Sequence, residues 1–311
     1  MNVWVIAETP ALATELVSGA KTITNGAAEV TAFVGGDEVA GKQVAACGAA
    51  KVTVLPLLAN AMWEDYTSAL VEKAKAEAPA LILVGSTKRG KDMAAQLAAL
   101  LDAPCVSDCK SLTADGDTKT VTRMIYGGMA VKTQTTTAPT VILTVAPKSY
   151  EPLPEDAANA GSVDVMAAPA ASTVVVTGRE PKVVSGVNLN DAASVVAIGR
   201  GFVEKDEMKL AEDLAKAIGA EMGCSRPIAE FFKWMPEEAY IGISGQIIKP
   251  QLYIAAGISG QAQHISGMRD SKIVVSVNKD ENAPMNAQSD YYIVGDIKEV
   301  LPALTKAFSE R

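Results

Sequence analysis

Small, polar loops recur through the last third of the chain, and each holds groups able to grip an anion. GRG stands at 199–201, CSRP at 224–227, GISG at 257–260, NKD at 278–280 and GD at 295–296. Glycines let backbone approach a ligand closely, serine and asparagine offer hydrogen bonds, and Arg200 and Arg226 supply guanidinium groups that match phosphate. The pentapeptide GISGQ occurs twice, at 242–246 and 257–261, and the second copy runs into His264, the chain's only histidine. GISG opening a helix would cradle a diphosphate, with Ser259 at or near the N-cap. Its spacing is not that of the dinucleotide-binding glycine fingerprint. One ligand touching all five loops is the economical reading.

Such loops need a scaffold that brings them together, and the pattern of the chain supplies one. The runs SVVAIG at 194–199, LYIAA at 252–256, KIVVSV at 272–277 and YYIV at 291–294 read as strands followed by GRG, GISG, NKD and GD, and CSRP follows a short EMG segment. Between the strands, 206–219 places Ala211, Leu214, Ala215 and Ile218 on one helical face with Gly219 as a stop, and a last helix carries Leu301, Leu304 and Phe308, with Pro302 expected in its first turn or marking a tightened entry. Strand alternating with helix predicts a parallel, doubly wound sheet, in which ligands bind beyond the carboxyl ends of the strands.

The first half alternates likewise, with strands expected at 3–7, 29–34, 51–55 and 81–85, Trp63, Tyr66 and Leu70 at helical spacing, and Met93, Leu97, Leu100 and Leu101 again so. From 105 to 146 the pattern becomes strands broken by DGD and GG, read as antiparallel strands added to the parallel core and ending in TVILTV. Residues 147–172 hold four of the fifteen prolines and read as an extended excursion, followed by a short strand TVVVT at 173–177. The expected organisation is an N-terminal mostly parallel α/β domain over 1–180, a linker at 181–192 within a turn-rich stretch, and a second α/β domain over 193–311.

With 311 residues and 49% hydrophobic content, the chain can give each domain its own core. A net charge of −8 and a pI near 4.9 argue against nucleic-acid or anionic-membrane surfaces. No apolar run is long enough to span a bilayer, and MNVWVIAE reads as a first strand rather than a targeting segment, which makes the cytoplasm the expected location. Four cysteines form no disulfide framework, and CVSDC at 105–109 lacks the second pair a metal site would need, so the thiols are expected buried or half-buried.

Residues 194–311 strongly resemble the FAD-binding domain of the electron transfer flavoprotein alpha subunit. The stretch PQLYIAAGISGQAQHISGMRDSKIVVSVNKDENAP matches the signature region, with GRG, SRP and DYYIVGD in the family's order. The preceding domain fits the family's N-terminal α/β domain more loosely. The resemblance implies FAD as cofactor, held by Arg200, by Ser225 and Arg226, by Ile241, Gly242, Ile243 and Ser244, by Ser259, Gly260, Gln261, Ala262, Gln263 and His264, and by Asn278, Asp296 and Ile297. The family often has threonine where Ser244 stands and glutamine where Ile243 stands; serine keeps the hydroxyl, isoleucine leaves only backbone. Arg226 would approach the flavin ring, His264 would donate to a ring carbonyl, and Ser244 would meet the redox-active nitrogen.

The resemblance further implies a beta-subunit partner holding a second FAD or an AMP, a flavin dehydrogenase such as an acyl-CoA dehydrogenase as electron donor, and a quinone-linked or other acceptor. The chain would be an electron carrier without an organic substrate of its own, in simple shuttling or in electron bifurcation. Two readings compete: a NAD-binding enzyme using the same crevice, and a cofactor-free scaffold subunit. At individual positions, Asp296 would serve equally as a helix cap, Lys88, Arg89 and Lys91 as a solvated helix start rather than a phosphate site, and MIYGGMA at 124–130 as a turn against a partner surface.

Overall fold

The computed structural model describes residues 1–156, 158–159, 161–169, 174–180 and 188–310. The chain divides into two compact units, one of residues 1–125 and 130–180, the other of 126–129 and 181–311. The 181–187 part of the expected linker lies outside the described residues. No helix among the described residues is long and apolar enough to cross a membrane.

The first unit alternates as the sequence predicts: β1 (Asn2–Ala7), α1 (Pro10–Ile23), β2 (Glu29–Gly36), α2 (Glu38–Ala46), β3 (Lys51–Pro56), a 3-10 turn (Trp63–Tyr66) running into α3 (Thr67–Glu77), β4 (Leu81–Gly85) and α4 (Lys88–Leu101). Then come β5 (Cys105–Val106), β6 (Cys109–Asp115), β7 (Thr118–Ile125), β8 (Ala130–Thr136), β9 (Val141–Val145) and β10 (Ser162–Val165). Seven strands form one parallel sheet in the order β10-β3-β2-β1-β4-β9-β5. The period of two divides its residues between two cores. Val3, Val5 and Ala7 face α1 and α2, whereas Trp4 and Ile6 face α3 and α4.

Several expectations are corrected here. TVILTV is not antiparallel; Val141–Val145 lies parallel to β4 and is buried at every position. The antiparallel strands β6, β7 and β8 make a separate three-stranded sheet, which enters the first core through Cys109, Leu112 and Val121. The 147–172 stretch is not wholly irregular, because β10 pairs with the edge strand β3. In TVVVT, Thr173 lies outside the described residues, Val174 to Thr177 form no strand, and Val174 and Val175 are exposed. Leu100 is exposed, because α4 turns Met93 and Leu97 inward. Cys105 is exposed too, while Cys47, Cys109 and Cys224 are buried, and burial pushes the Cys109 thiol up to about 11 and Cys224 to about 12.

The second unit holds β11 (Ser194–Ile198), α5 (Met208–Ile218), β12 (Glu221–Cys224), a π-helical turn (Pro227–Phe231), β13 (Leu252–Ala256), α6 (Ala262–Met268), β14 (Ile273–Asn278), β15 (Tyr291–Val294) and α7 (Ile297–Ser309). Its five strands are parallel, in the order β12-β11-β13-β14-β15. Val196, Ile198, Ile254 and Ala256 pack with α5 and α7; Val195, Ala197, Tyr253 and Ala255 pack with Ile265 and Met268 of α6. The sheet is therefore wound on both faces. The Tyr126–Gly128 turn belongs to this unit, and its carbonyls are taken by α6 and the residue after it: Ser266 Oγ donates to Gly127 and Arg269 to Gly128, each at 2.6 Å.

Pro302 stands in the second turn of α7 rather than the first, so the Lys298 carbonyl loses its i+4 donor. Because Pro302 is exposed, replacing it sacrifices no core packing. Pro302→Ala is expected to stabilise the fold by about 2 kcal/mol, the helix gain less the extra freedom of the unfolded chain; a lower denaturation midpoint than wild type would refute this.

Candidate functional site

The strand order fixes where a cleft must open. From β11 the chain moves outward to β12 and then returns past β11 to β13, so the loops leaving β11 and β13 turn to opposite faces and leave a crevice between them. GRG and GISG are those two loops, and they touch through backbone. Gly201 N–H donates to Gly257 O at 2.9 Å, and a Cβ on Gly201 would lie 2.6 Å from Gly257 Cα. Gly257 is left-handed at φ 62, and a Cβ there would meet Gly201 Cα at 2.8 Å. Gly260, at φ 86, presses on the 284–285 segment, where a Cβ would stand 2.3 Å from Met285 N. Glycine is thus required by loop-to-loop contact, before any ligand is considered.

A cavity of about 720 Å³ occupies the crevice. It gathers Arg200 from the β11 loop, Ser225 and Arg226 after β12, Ser244, Ser259, Gln261, Gln263 and His264 around α6, Asn278 at the end of β14, and Asp296 with Ile297 at the start of α7. Ile241, Gly242, Ile243, Gly260 and Ala262 do not line it. Ile241 is fully buried and donates to Cys224 O, Gly242 donates to Gln246 O, Ile243 is half exposed and donates to Gln263 O, and Ala262 is the first residue of α6.

The repeated pentapeptide adopts two conformations. Its first copy closes into a turn, with Gly245 N–H donating to Gly242 O and Ser244 Oγ 3.1 Å from Tyr240 Oη. Its second copy leads into α6. Ser259 stands near the cap and not at it; the helix begins at Ala262, Gln261 occupies the cap position without a side-chain bond, and Ser259 O accepts from Met285. Asp296 does cap α7, accepting from Lys298 N–H at 2.9 Å, while its residue also lines the cavity. Asn278 is a brace: its Nδ2 donates to Ile258 O at 2.9 Å and its Oδ1 accepts from Asp280 N–H at 3.0 Å.

Sequence reasoning missed Glu207, Tyr240, Lys279 and Lys298 among the lining residues. Lys298 Nζ lies 2.8 Å from Glu207, whose carboxyl is held below its usual range chiefly by that bond and by the Val203 N–H. A further pair went unread although its i, i+4 spacing was a signal: Arg226 Nε donates to Glu230 at 2.6 Å, leaving the two terminal nitrogens of the fork unused by that bond.

His264 and Asn278 are both buried polar residues of the cleft wall. His264 Nε2 lies 2.7 Å from Tyr253 Oη, and its Nδ1 is buried with no hydrogen-bond partner. Burial pushes the imidazole down to about 4, the Ile241 backbone pulling weakly the other way. The ring is therefore neutral at pH 7. Among the described residues no cluster of His, Cys, Asp or Glu could hold a metal ion.

The family comparisons agree with this geometry. Residues 3–171 match the electron transfer flavoprotein domain, and residues 188–269 match the electron transfer flavoprotein FAD-binding domain. The chain belongs to the electron transfer flavoprotein alpha family. Within that family it is 38% identical over 311 residues to Protein FixB of Escherichia coli O17:K52:H18, spanning 99% of this chain and 98% of the relative, with the same figures for Protein FixB of Shigella flexneri. Much of the cavity lining lies inside the matched FAD-binding region of this flavoprotein subunit, and Asn278, Asp296, Ile297 and Lys298 extend it beyond residue 269.

Two outcomes are expected of the site. Gly260→Ala adds a Cβ against backbone at a left-handed residue and should destabilise by about 1–3 kcal/mol, more than Gly219→Ala, where φ is 64 but no atom lies within 4 Å; equal losses in urea unfolding would contradict the packing argument. The folded His264 resists protonation that the unfolded chain accepts below about 6.5, so its contribution to stability is complete above that pH and falls away down to about 4. The loss is on the order of 3 kcal/mol, and His264→Asn should flatten that part of the stability profile.

Proposed function

We propose that this chain is the FAD-holding alpha subunit of a heterodimeric electron transfer flavoprotein. In this reading it receives electrons from a flavin dehydrogenase such as an acyl-CoA dehydrogenase and delivers them to a quinone-linked or other acceptor, in the cytoplasm. The observation that carries it is the switch-point cleft, whose wall holds a buried imidazole nitrogen without a partner. Its size lies within the range of cofactor sites, and its donors suit an anionic, ring-bearing ligand.

Bound FAD would supply the one- and two-electron redox chemistry. The chain's own residues bind and bias it. Arg200 and Ser259, at loops after β11 and β13, are suited to the diphosphate. His264 offers a hydrogen bond from a neutral ring, so it adds a directed donor without adding charge. Arg226 brings permanent positive charge on a fork that Glu230 holds by Nε; a cation beside the ring favours its reduced, negatively charged form and raises its potential. Ser244, held toward Tyr240, supplies a hydroxyl to the same space.

The beta subunit would complete the heterodimer with its own nucleotide, a second FAD or an AMP. Counting flavins per purified heterodimer distinguishes the two, and a colourless heterodimer that binds NAD would sink the flavin reading. Arg226→Ala should lower the flavin potential by several tens of millivolts, the equivalent of one charge-assisted hydrogen bond. A redox titration with no shift would remove Arg226 from this role.

A further inference from the structure

Beneath the cleft, Tyr253 rises from the central strand β13 with its ring fully enclosed, and the hydroxyl meets His264 Nε2 at 2.7 Å. No other hydrogen-bond partner of that hydroxyl exists among the described residues. A buried phenol keeps its proton, since burial pushes its ionisation well above the ordinary value. That proton needs an acceptor, and the imidazole nitrogen is the one in reach. If Tyr253 Oη–H donates to Nε2, Nε2 carries no proton, and the single proton of a neutral imidazole sits on Nδ1. The opposite arrangement, Nε2–H donating to the phenol oxygen, leaves both the tyrosine proton and the Nδ1 lone pair buried without partners. Two buried groups would go unsatisfied instead of one.

We infer that Tyr253 is a positioning residue that fixes His264, a residue of the cleft lining, in the Nδ1–H tautomer, so that its second ring nitrogen carries a buried N–H donor and not a lone pair. The inference rests on the FAD reading for its ligand: the group it selects is an acceptor oxygen, such as a ring carbonyl on the pyrimidine side of a flavin. A ligand presenting N–H at the same place would meet donor against donor. Selection here comes from a hydroxyl that belongs to the sheet and need not touch the ligand.

The chain's single histidine makes the tautomer directly readable. The full chain, free of any histidine tag and labelled with 15N-histidine, is paired with unlabelled beta subunit, and long-range proton–nitrogen correlation spectra are recorded at pH 7 with and without FAD. The expected wild-type pattern is that of the Nδ1–H tautomer in both samples. Tyr253→Phe keeps the ring and removes the hydroxyl, and should move the pattern toward Nε2–H and weaken FAD binding about tenfold, the effect of one misdirected hydrogen bond. A wild-type Nε2–H pattern overturns the inference without need of any variant, as does an unchanged pattern in Tyr253→Phe. A purely structural tyrosine would alter stability and leave the tautomer alone. The Nδ1–H pattern in a heterodimer that fails to take up FAD would refute the cofactor reading while upholding the tautomer.

Discussion

The second unit depends on one backbone contact, Gly201 against Gly257, at the point where the strand order reverses. A Cβ at either position would stand 2.6 to 2.8 Å from the backbone of the other loop, so the two loops would have to move apart. Everything else at the site follows from that closeness. Gly257 turns left-handed, Ile258 is held by the Asn278 amide, Gly260 meets Met285, and α6 starts where it can carry His264 over Tyr253. A ligand cradle is thus assembled from sheet topology and the absence of three Cβ atoms, at Gly201, Gly257 and Gly260, more than from any dedicated binding element.

Much of this was legible in the sequence, for a definite reason. Loops rich in glycine and hydrogen-bonding groups recur after runs of β-branched residues, and a parallel sheet sends all such loops to one edge. What the sequence did not disclose was geometry that depends on distant partners. Val141–Val145 looks the same whether its neighbour runs parallel or antiparallel; only β4 beside it decides. The half-polar Ser162–Val165 is a strand solely because β3 offers an open edge. Val174 and Val175 have the better local propensity, yet they lie in no strand. Ser259 looks like a cap, yet the pull of Met285 on its carbonyl delays the helix to Ala262. Lys298 and Glu207 come from segments far apart in the chain, and no local spacing links them.

The electrostatics of the cleft are unusual for an acidic chain. Arg200, Arg226, Lys279 and Lys298 converge on it, although the protein carries a net charge of −8. Two of these cations are already tied to carboxylates, Arg226 to Glu230 and Lys298 to Glu207, so part of the positive field is offset. His264 adds no charge at all. Directionality at that point is set by hydrogen-bond geometry, and strength by the arginines.

The first unit has its own reversal, between β1 and β4, and the residues after those strands tell a different story. Thr87 donates to Glu8; Arg89 lies 3.8 Å from Glu8 and 3.6 Å from Glu64; Lys91 pairs with Asp108 at 2.9 Å. The basic helix start is neutralised from within, and the acids that do so face any arriving phosphate with like charge. Two strand-order reversals of the same topological kind therefore differ in what they leave open: at one, the cations line a cavity, and at the other, carboxylates of the same unit already answer them.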